Sequence, residues 1–65
     1  MTAIELIHDI AARIALYPGR TIQETISGHT ISGRLVVAKG DEYGIYKLDG
    51  KRIAYPELLT RFAGG

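Results

Sequence analysis

Aromatic and basic side chains alternate between residues 43 and 55. They are Tyr43, Tyr46, Lys47, Lys51, Arg52 and Tyr55. On small β-domains, exposed aromatic rings stack on bases while lysine and arginine side chains neutralise phosphates. The segment therefore predicts a nucleic-acid-binding hairpin. Arg34, which opens the more basic half of the chain, is a further candidate binding residue.

The same residue types also have a purely structural interpretation. Tyrosines at strand spacing pack their rings inward with the hydroxyl at the rim, and lysines on a hairpin protect an edge strand from aggregation. In a chain of 65 residues with 46% hydrophobic side chains, apolar surface can exceed what one small core hides. The alternative function is therefore a protein-protein interaction module or a small protein inhibitor, and we expect self-association into a homo-oligomer.

Residue types suited to catalysis or metal binding are scarce. The chain has two histidines, His8 and His29, and no cysteine. It therefore lacks a thiolate nucleophile and the ligand spacings of common zinc sites. Asp41 and Glu42 are adjacent, but they lack the alternating acidic ladder of a calcium loop. We expect a non-enzymatic regulatory or adaptor protein with no metal and no cofactor.

Length and charge are those of a small folded domain. The 65 residues suffice for one domain, spanning 1–65, with a single small core. The formal net charge is +1, and the half from Arg34 onward has six cations against four acids. The first residues do not resemble a signal peptide, and the longest aliphatic stretch, 35–38, is far shorter than the ~20 residues that cross a bilayer. We expect a cytoplasmic protein with no membrane partner.

A helix is predicted to begin after Thr2. Thr2 and Glu5 have capping-box spacing, in which the threonine oxygen accepts from the backbone three residues on and the glutamate reaches back. Isoleucines then recur at steps of three and four as far as Ile14 and form one apolar stripe. The helix should end at Pro18 and Gly19, because proline disfavours helical geometry in the residue before it.

Two strands are predicted for residues 21–26 and 30–38, with Ser27 and Gly28 as the turn between them. Both segments are rich in threonine, isoleucine and valine, which pack well on a pleated surface. Alternation in the second strand places the odd-numbered positions on one face and Thr30, Ser32 and Arg34 on the other. Gly33 would then mark a bend or a bulge.

A winged helix-turn-helix is the alternative architecture. Thr21 and Glu24 have a second capping-box spacing, residues 30–39 would form a recognition helix, and Arg34 would be placed to read bases in the major groove. Against this, Gly33 would cost ~1 kcal/mol in mid-helix, its β-branched neighbours are mediocre helix formers, and the preceding helix would have barely two turns. These features favour the strands.

A second hairpin and a short helix complete the predicted fold. Gly40, Asp41 and Glu42 are expected to form a polar turn, followed by strands over 43–48 and 51–55 that Asp49 and Gly50 connect. Pro56 suits the first position of a C-terminal helix. The prediction is an α+β domain with an N-terminal helix, a four-stranded antiparallel meander and a short C-terminal helix, in which the sheet curves toward an SH3-like barrel.

Overall fold

The chain begins with helix α1, Ala3–Leu16, in a computed structural model that describes residues 2–63. The predicted capping box is formed: Glu5 N donates to Thr2 Oγ1 at 3.2 Å, and Thr2 N donates to Glu5 Oε1 at 3.2 Å. These bonds satisfy two backbone donors that a helix start leaves without partners. Within residues 2–63, no helix has both the length and the apolar character needed to cross a membrane.

The middle of the chain forms an antiparallel meander in the order β1-β2-β3-β4. Its strands are β1 (Thr21–Ile26), β2 (His29–Ala38), β3 (Asp41–Leu48) and β4 (Lys51–Ile53). The strands predicted between residues 21 and 38 are therefore confirmed, and the winged helix-turn-helix alternative is wrong. The β-branched residues around Gly33 adopt the extended geometry that suits them.

All three hairpins turn over two residues whose backbone φ is positive. The first residues of the turns, Ser27, Lys39 and Asp49, have φ near 51–52°, and each is followed by a glycine. Two-residue turns with φ positive at both positions match the right-handed twist of the flanking strands, and glycine favours the second position. The middle turn lies one residue earlier than predicted, because Ala38 pairs with Asp41 and leaves only Lys39 and Gly40 between the strands.

Helix α2, Tyr55–Ala63, packs with α1 against the sheet and encloses the core. The buried side chains are Ile7, Ile10, Ile14, Ile26, Ile31, Tyr46 and Leu58. The helix includes Tyr55, which the sequence assigned to the last strand, because Leu58 N donates to Ala54 O and starts the helix there. Such a short helix needs tertiary contacts to persist.

The sheet is open rather than closed into a barrel. Neighbouring strands in the order pair with each other, so β1 and β4 are its two edges. β4 has only three residues and pairs with Tyr46–Leu48, which leaves the first half of β3 unpaired on its outer side. The suggested closure toward an SH3-like barrel is therefore not present, while the α+β class and the element order are confirmed.

Candidate nucleic-acid interface

Strand alternation divides the candidate residues between the two sides of the sheet. One side, the helix face, contacts α1 and α2. The other side, here named the open face, is covered by neither α1 nor α2, since both pack on the helix face. The open-face positions of the paired strands are Thr21, Gln23, Thr25, Thr30, Ser32, Arg34, Val36, Ala38, Asp41, Tyr43, Ile45, Lys47 and Arg52.

Three of the predicted basic residues lie together on the open face. Lys47 and Arg52 are direct partners across the β3–β4 ladder, and Arg34 lies on β2, one row further along the sheet. Rows on one face are about 6.6 Å apart, and neighbouring strands are about 4.8 Å apart. All three side chains are exposed and border a shallow depression of about 440 Å³. We name Arg34, Lys47 and Arg52 the basic triad.

No ion pair of the described residues involves the basic triad, and the acid that shares a depression with Arg52, Glu57, lies on the helix side of the molecule. Among the open-face positions of the described strands, Asp41 is the one acidic residue, and it lies at the far tip of the β2–β3 hairpin. The ion pairs formed within residues 2–63 involve Arg13 and His29 rather than the triad. Lys47 and Arg52 are closer together than the Debye length of about 8 Å at physiological salt, and Arg34 lies about one Debye length from Lys47, so neighbouring charges reinforce each other toward an anion.

Apolar side chains adjoin the basic triad on the same face. Tyr43 is 47% exposed and pairs with Val36 across the β2–β3 ladder. Ile45 lies between Tyr43 and Lys47 on β3 and lines the depression with Val36. The open face therefore offers a half-exposed ring and two aliphatic side chains next to the exposed cations of the basic triad.

Tyr46 and Tyr55 do not belong to this surface. Tyr46 points to the helix face and is 9% exposed, with its ring centroid 4.8 Å from that of Tyr55. Burial raises the pKa of both hydroxyls above the ordinary value. Tyr46 cannot stack on a base without leaving the core, and Tyr55 packs partly buried against Tyr46 on the helix side, so we correct their assignment to the binding surface. The period-two alternation of β3 places Tyr46 and Tyr43 on opposite faces of the sheet, and this pattern in the sequence could have excluded Tyr46 from the binding surface.

Lys51 also lies on the helix face. The two-residue turn at Asp49 and Gly50 pairs Leu48 with Lys51, so both side chains are on that side of the sheet. Lys51 borders a different depression, which also contains Glu57 and Arg61. The predicted basic hairpin therefore presents Lys47 and Lys51 to opposite sides of the molecule.

His29 and Asp49 form a polar clasp between two turns. His29 Nδ1 lies 2.7 Å from Asp49 Oδ2, and Thr30 N donates to Asp49 Oδ1 at 2.9 Å. The hydrogen bond from His29 is the main reason that the pKa of Asp49 lies below its ordinary value, and the bond from Thr30 adds to the effect. This pairing over 20 residues has no signature in the sequence. It is a structural link, and within residues 2–63 no three histidine or acidic side chains gather as metal ligands.

In comparisons with known proteins, no family model matches the chain, and neither curated proteins nor solved structures give a significant match. The open face is the candidate interface. Its chemistry combines fixed positive charge, hydroxyl and amide groups from β1 and β2, and exposed apolar side chains.

Proposed function

We propose that this chain is a non-enzymatic regulatory or adaptor protein that binds nucleic acid through the open face of its sheet. The observation that carries the proposal is the basic triad: three exposed cations on adjacent strands, with Asp41 at the hairpin tip as the nearest acid on that face. The phosphates of nucleic acid supply the complementary charge. Much of the affinity of such surfaces for nucleic acid comes from the release of counterions condensed around the phosphates.

The pleated backbone keeps the basic triad in place. Arg34 is held in the β2 ladder on both sides, by Thr21 of β1 and by Ile45 of β3. Lys47 is likewise paired on both sides, with Ser32 and Arg52. Because the strands fix the three Cα positions, binding orders the side chains alone and costs less entropy than ordering a loop.

Salt dependence tests the proposal directly. Three phosphate contacts predict that the logarithm of the association constant falls with the logarithm of salt concentration with a slope of about −2 to −3. We would measure the affinity for fluorescently labelled oligonucleotides by anisotropy at salt concentrations from about 25 to about 200 mM. Phosphate contacts weaken strongly over this range. Affinity that does not change with salt would contradict the proposal.

A pair of double variants provides a matched control. Lys47→Ala with Arg52→Ala removes two open-face charges, whereas Lys51→Ala with Arg61→Ala removes the same net charge from the side of the molecule that bears the helices. We expect the first double variant to weaken binding severalfold and to reduce the salt slope by about 2. The second should leave the slope unchanged. Equal losses in both would mean that net charge rather than the open face governs binding.

Exposed apolar side chains favour a second candidate function, self-association as a protein-interaction module. Leu16, Tyr17 and Val37 are 71%, 52% and 54% exposed. Gly19 N donates to Leu35 O, which brings the end of α1 close to β2, and Pro18 and Val37 line one depression there. A second copy of the chain supplies the same apolar side chains, and two such patches would bury each other. This interface would be insensitive to salt, unlike phosphate binding.

A further inference from the structure

We propose that the nucleic acid on the open face is single-stranded, with one base stacked on Tyr43 and the following phosphates held by the basic triad. This inference rests on the proposed function and specifies its ligand. It concerns a polynucleotide whose base faces are free, whether its sugar is ribose or deoxyribose.

The mixture of side chains on the open face is the first reason. Tyr43, Val36 and Ile45 lie beside Arg34 and Lys47, so apolar and cationic groups share one surface. A duplex hides its base faces inside the stack and presents mainly phosphates and sugars, whereas a single strand offers bare bases and phosphates together. Of these two ligands, only the single strand offers exposed base faces that the apolar part of the open face can contact.

The position of Tyr43 is the second reason. Its ring is 47% exposed and lies on the same strand as Lys47, four residues away with Ile45 between them. Four residues of strand span about 13 Å, so one strand can place a base on Tyr43 and phosphates beside the basic triad. We expect a short footprint, near the lower end of the ~4–16 nucleotides that one OB fold covers.

The elements that read duplex grooves in other proteins are badly placed here. Both helices pack on the helix face, across the sheet from Arg34 and Lys47, and only the start of α2 comes near Arg52. A two-stranded ribbon can enter the major groove, but the tip of the β2–β3 hairpin carries Asp41 and Glu42 against the single cation Lys39. Inserting this tip would bring two carboxylates toward the phosphates. Duplex binding by either helix or by the β2–β3 ribbon is therefore disfavoured.

The experiment compares four probes of one mixed sequence, on the order of 12 nucleotides: single-stranded RNA, single-stranded DNA and the two corresponding duplexes. Each is titrated with wild-type protein, Tyr43→Phe and Tyr43→Thr, and binding is followed by fluorescence anisotropy at low salt. Phenylalanine keeps the aromatic face, and threonine removes it while retaining the β-branched shape that suits a strand. His8→Ala is the control, since His8 is an exposed ring on α1, away from the open face.

At least one single strand should bind about tenfold or more tightly than either duplex. Tyr43→Thr should weaken that binding by roughly 5- to 150-fold, which corresponds to the ~1–3 kcal/mol of one base stacked on an aromatic ring. Tyr43→Phe and His8→Ala should bind as the wild type does. A stronger response to RNA or to DNA supports the inference and identifies the sugar.

Two results would overturn the inference in different ways. If duplexes bind as well as single strands and Tyr43→Thr has no effect, while removal of Lys47 and Arg52 still reduces affinity, the protein binds phosphates without stacking a base. The single-strand inference is then wrong and the proposed function stands. If none of the four probes binds at low salt, the proposed function itself is wrong, and the inference is lost with it.

Discussion

The ring of Tyr46 covers Gly33, its direct partner across the β2–β3 ladder. A Cβ added to Gly33 would lie 3.1 Å from Tyr46 Cε1 and 2.9 Å from Ile10 Cγ2. The same ring covers Gly44, where an added Cβ would lie 2.9 Å from Tyr46 Cε2. The two glycines thus leave the space in which the tyrosine lies against the sheet and α1 packs over it.

We expect Gly33→Ala to lower the free energy of unfolding by about 1–3 kcal/mol, the usual cost of an extra methyl group in a filled core. The clash with Tyr46 and Ile10 exceeds the gain from restricting the unfolded backbone, which is only about 0.4–1 kcal/mol. Urea denaturation followed by circular dichroism measures the difference.

Ser32→Ala is the control for this substitution, because it changes the preceding residue, whose side chain is on the open face. Its effect should stay within about 0.5 kcal/mol. If Gly33→Ala instead raised stability, the close packing of Tyr46 on β2 would be wrong.

Local signals in the sequence were enough to predict most of the fold. The capping box at Thr2 and Glu5, the stripe of isoleucines and the turns at Gly28 and Gly50 depend on neighbours a few residues away. The turn at Lys39 was misplaced because lysine is an uncommon first residue in such a turn, and the acids after it resemble turn residues.

The candidate site was predicted only in part, because the side of the sheet on which a side chain lies depends on the strand register. The sequence interpretation treated the segment from 43 to 55 as one basic and aromatic patch. In the structure this segment has two sides, and only Tyr43, Lys47 and Arg52 share the open face with Arg34. Alternation alone assigns Tyr46 to the opposite side. The burial of Tyr55 depends on where α2 docks, which no local pattern encodes.

The clasp between His29 and Asp49 predicts how stability changes in acid. Because the pKa of Asp49 is lower in the folded protein than its ordinary value of 3.8, the carboxylate stabilises the fold fully above that value. The stabilisation is lost as the pH falls through the lower, folded pKa. The melting temperature of the wild type should therefore exceed that of Asp49→Asn at neutral pH, and the gap should close below pH about 4.

Asn suits this test because it retains the turn. Asp49 has φ 51° and precedes Gly50, and Asn-Gly is at least as favourable in such a turn. The substitution thus removes the charge that attracts His29 without disturbing the hairpin. The melting temperatures of the two proteins should be measured from about pH 7 to about pH 2, which covers the whole carboxyl titration range. If the difference between them does not change with pH, the charge of Asp49 in the clasp contributes nothing to stability.

Leu58→Ala should detach or unfold α2. Leu58 is fully buried and is the one buried side chain of this nine-residue helix. Leucine-to-alanine changes in a core cost about 2–5 kcal/mol, comparable to the ~3–5 kcal/mol that a single small core supplies. Far-ultraviolet circular dichroism and urea denaturation would report the loss. Arg61→Ala, at an exposed position of the same helix, should leave both measurements nearly unchanged, and equal effects would contradict the docking of α2.

If the exposed apolar residues Leu16, Tyr17 and Val37 mediate self-association, the melting temperature should rise with protein concentration. Mass action then favours the dimer over unfolded monomers. Val37→Thr keeps the shape of the side chain but places a hydroxyl in the patch with Leu16 and Tyr17, and it should remove the concentration dependence. The control, Ile45→Thr, makes a comparable change on the open face, outside the depression that Pro18 and Val37 line, and should retain the concentration dependence. Differential scanning fluorimetry over a hundredfold range of concentration, about the span needed to resolve the shift, and sedimentation equilibrium measure these effects. A constant melting temperature together with a monomer mass throughout would leave the exposed Val37 without a partner in a second copy of the chain.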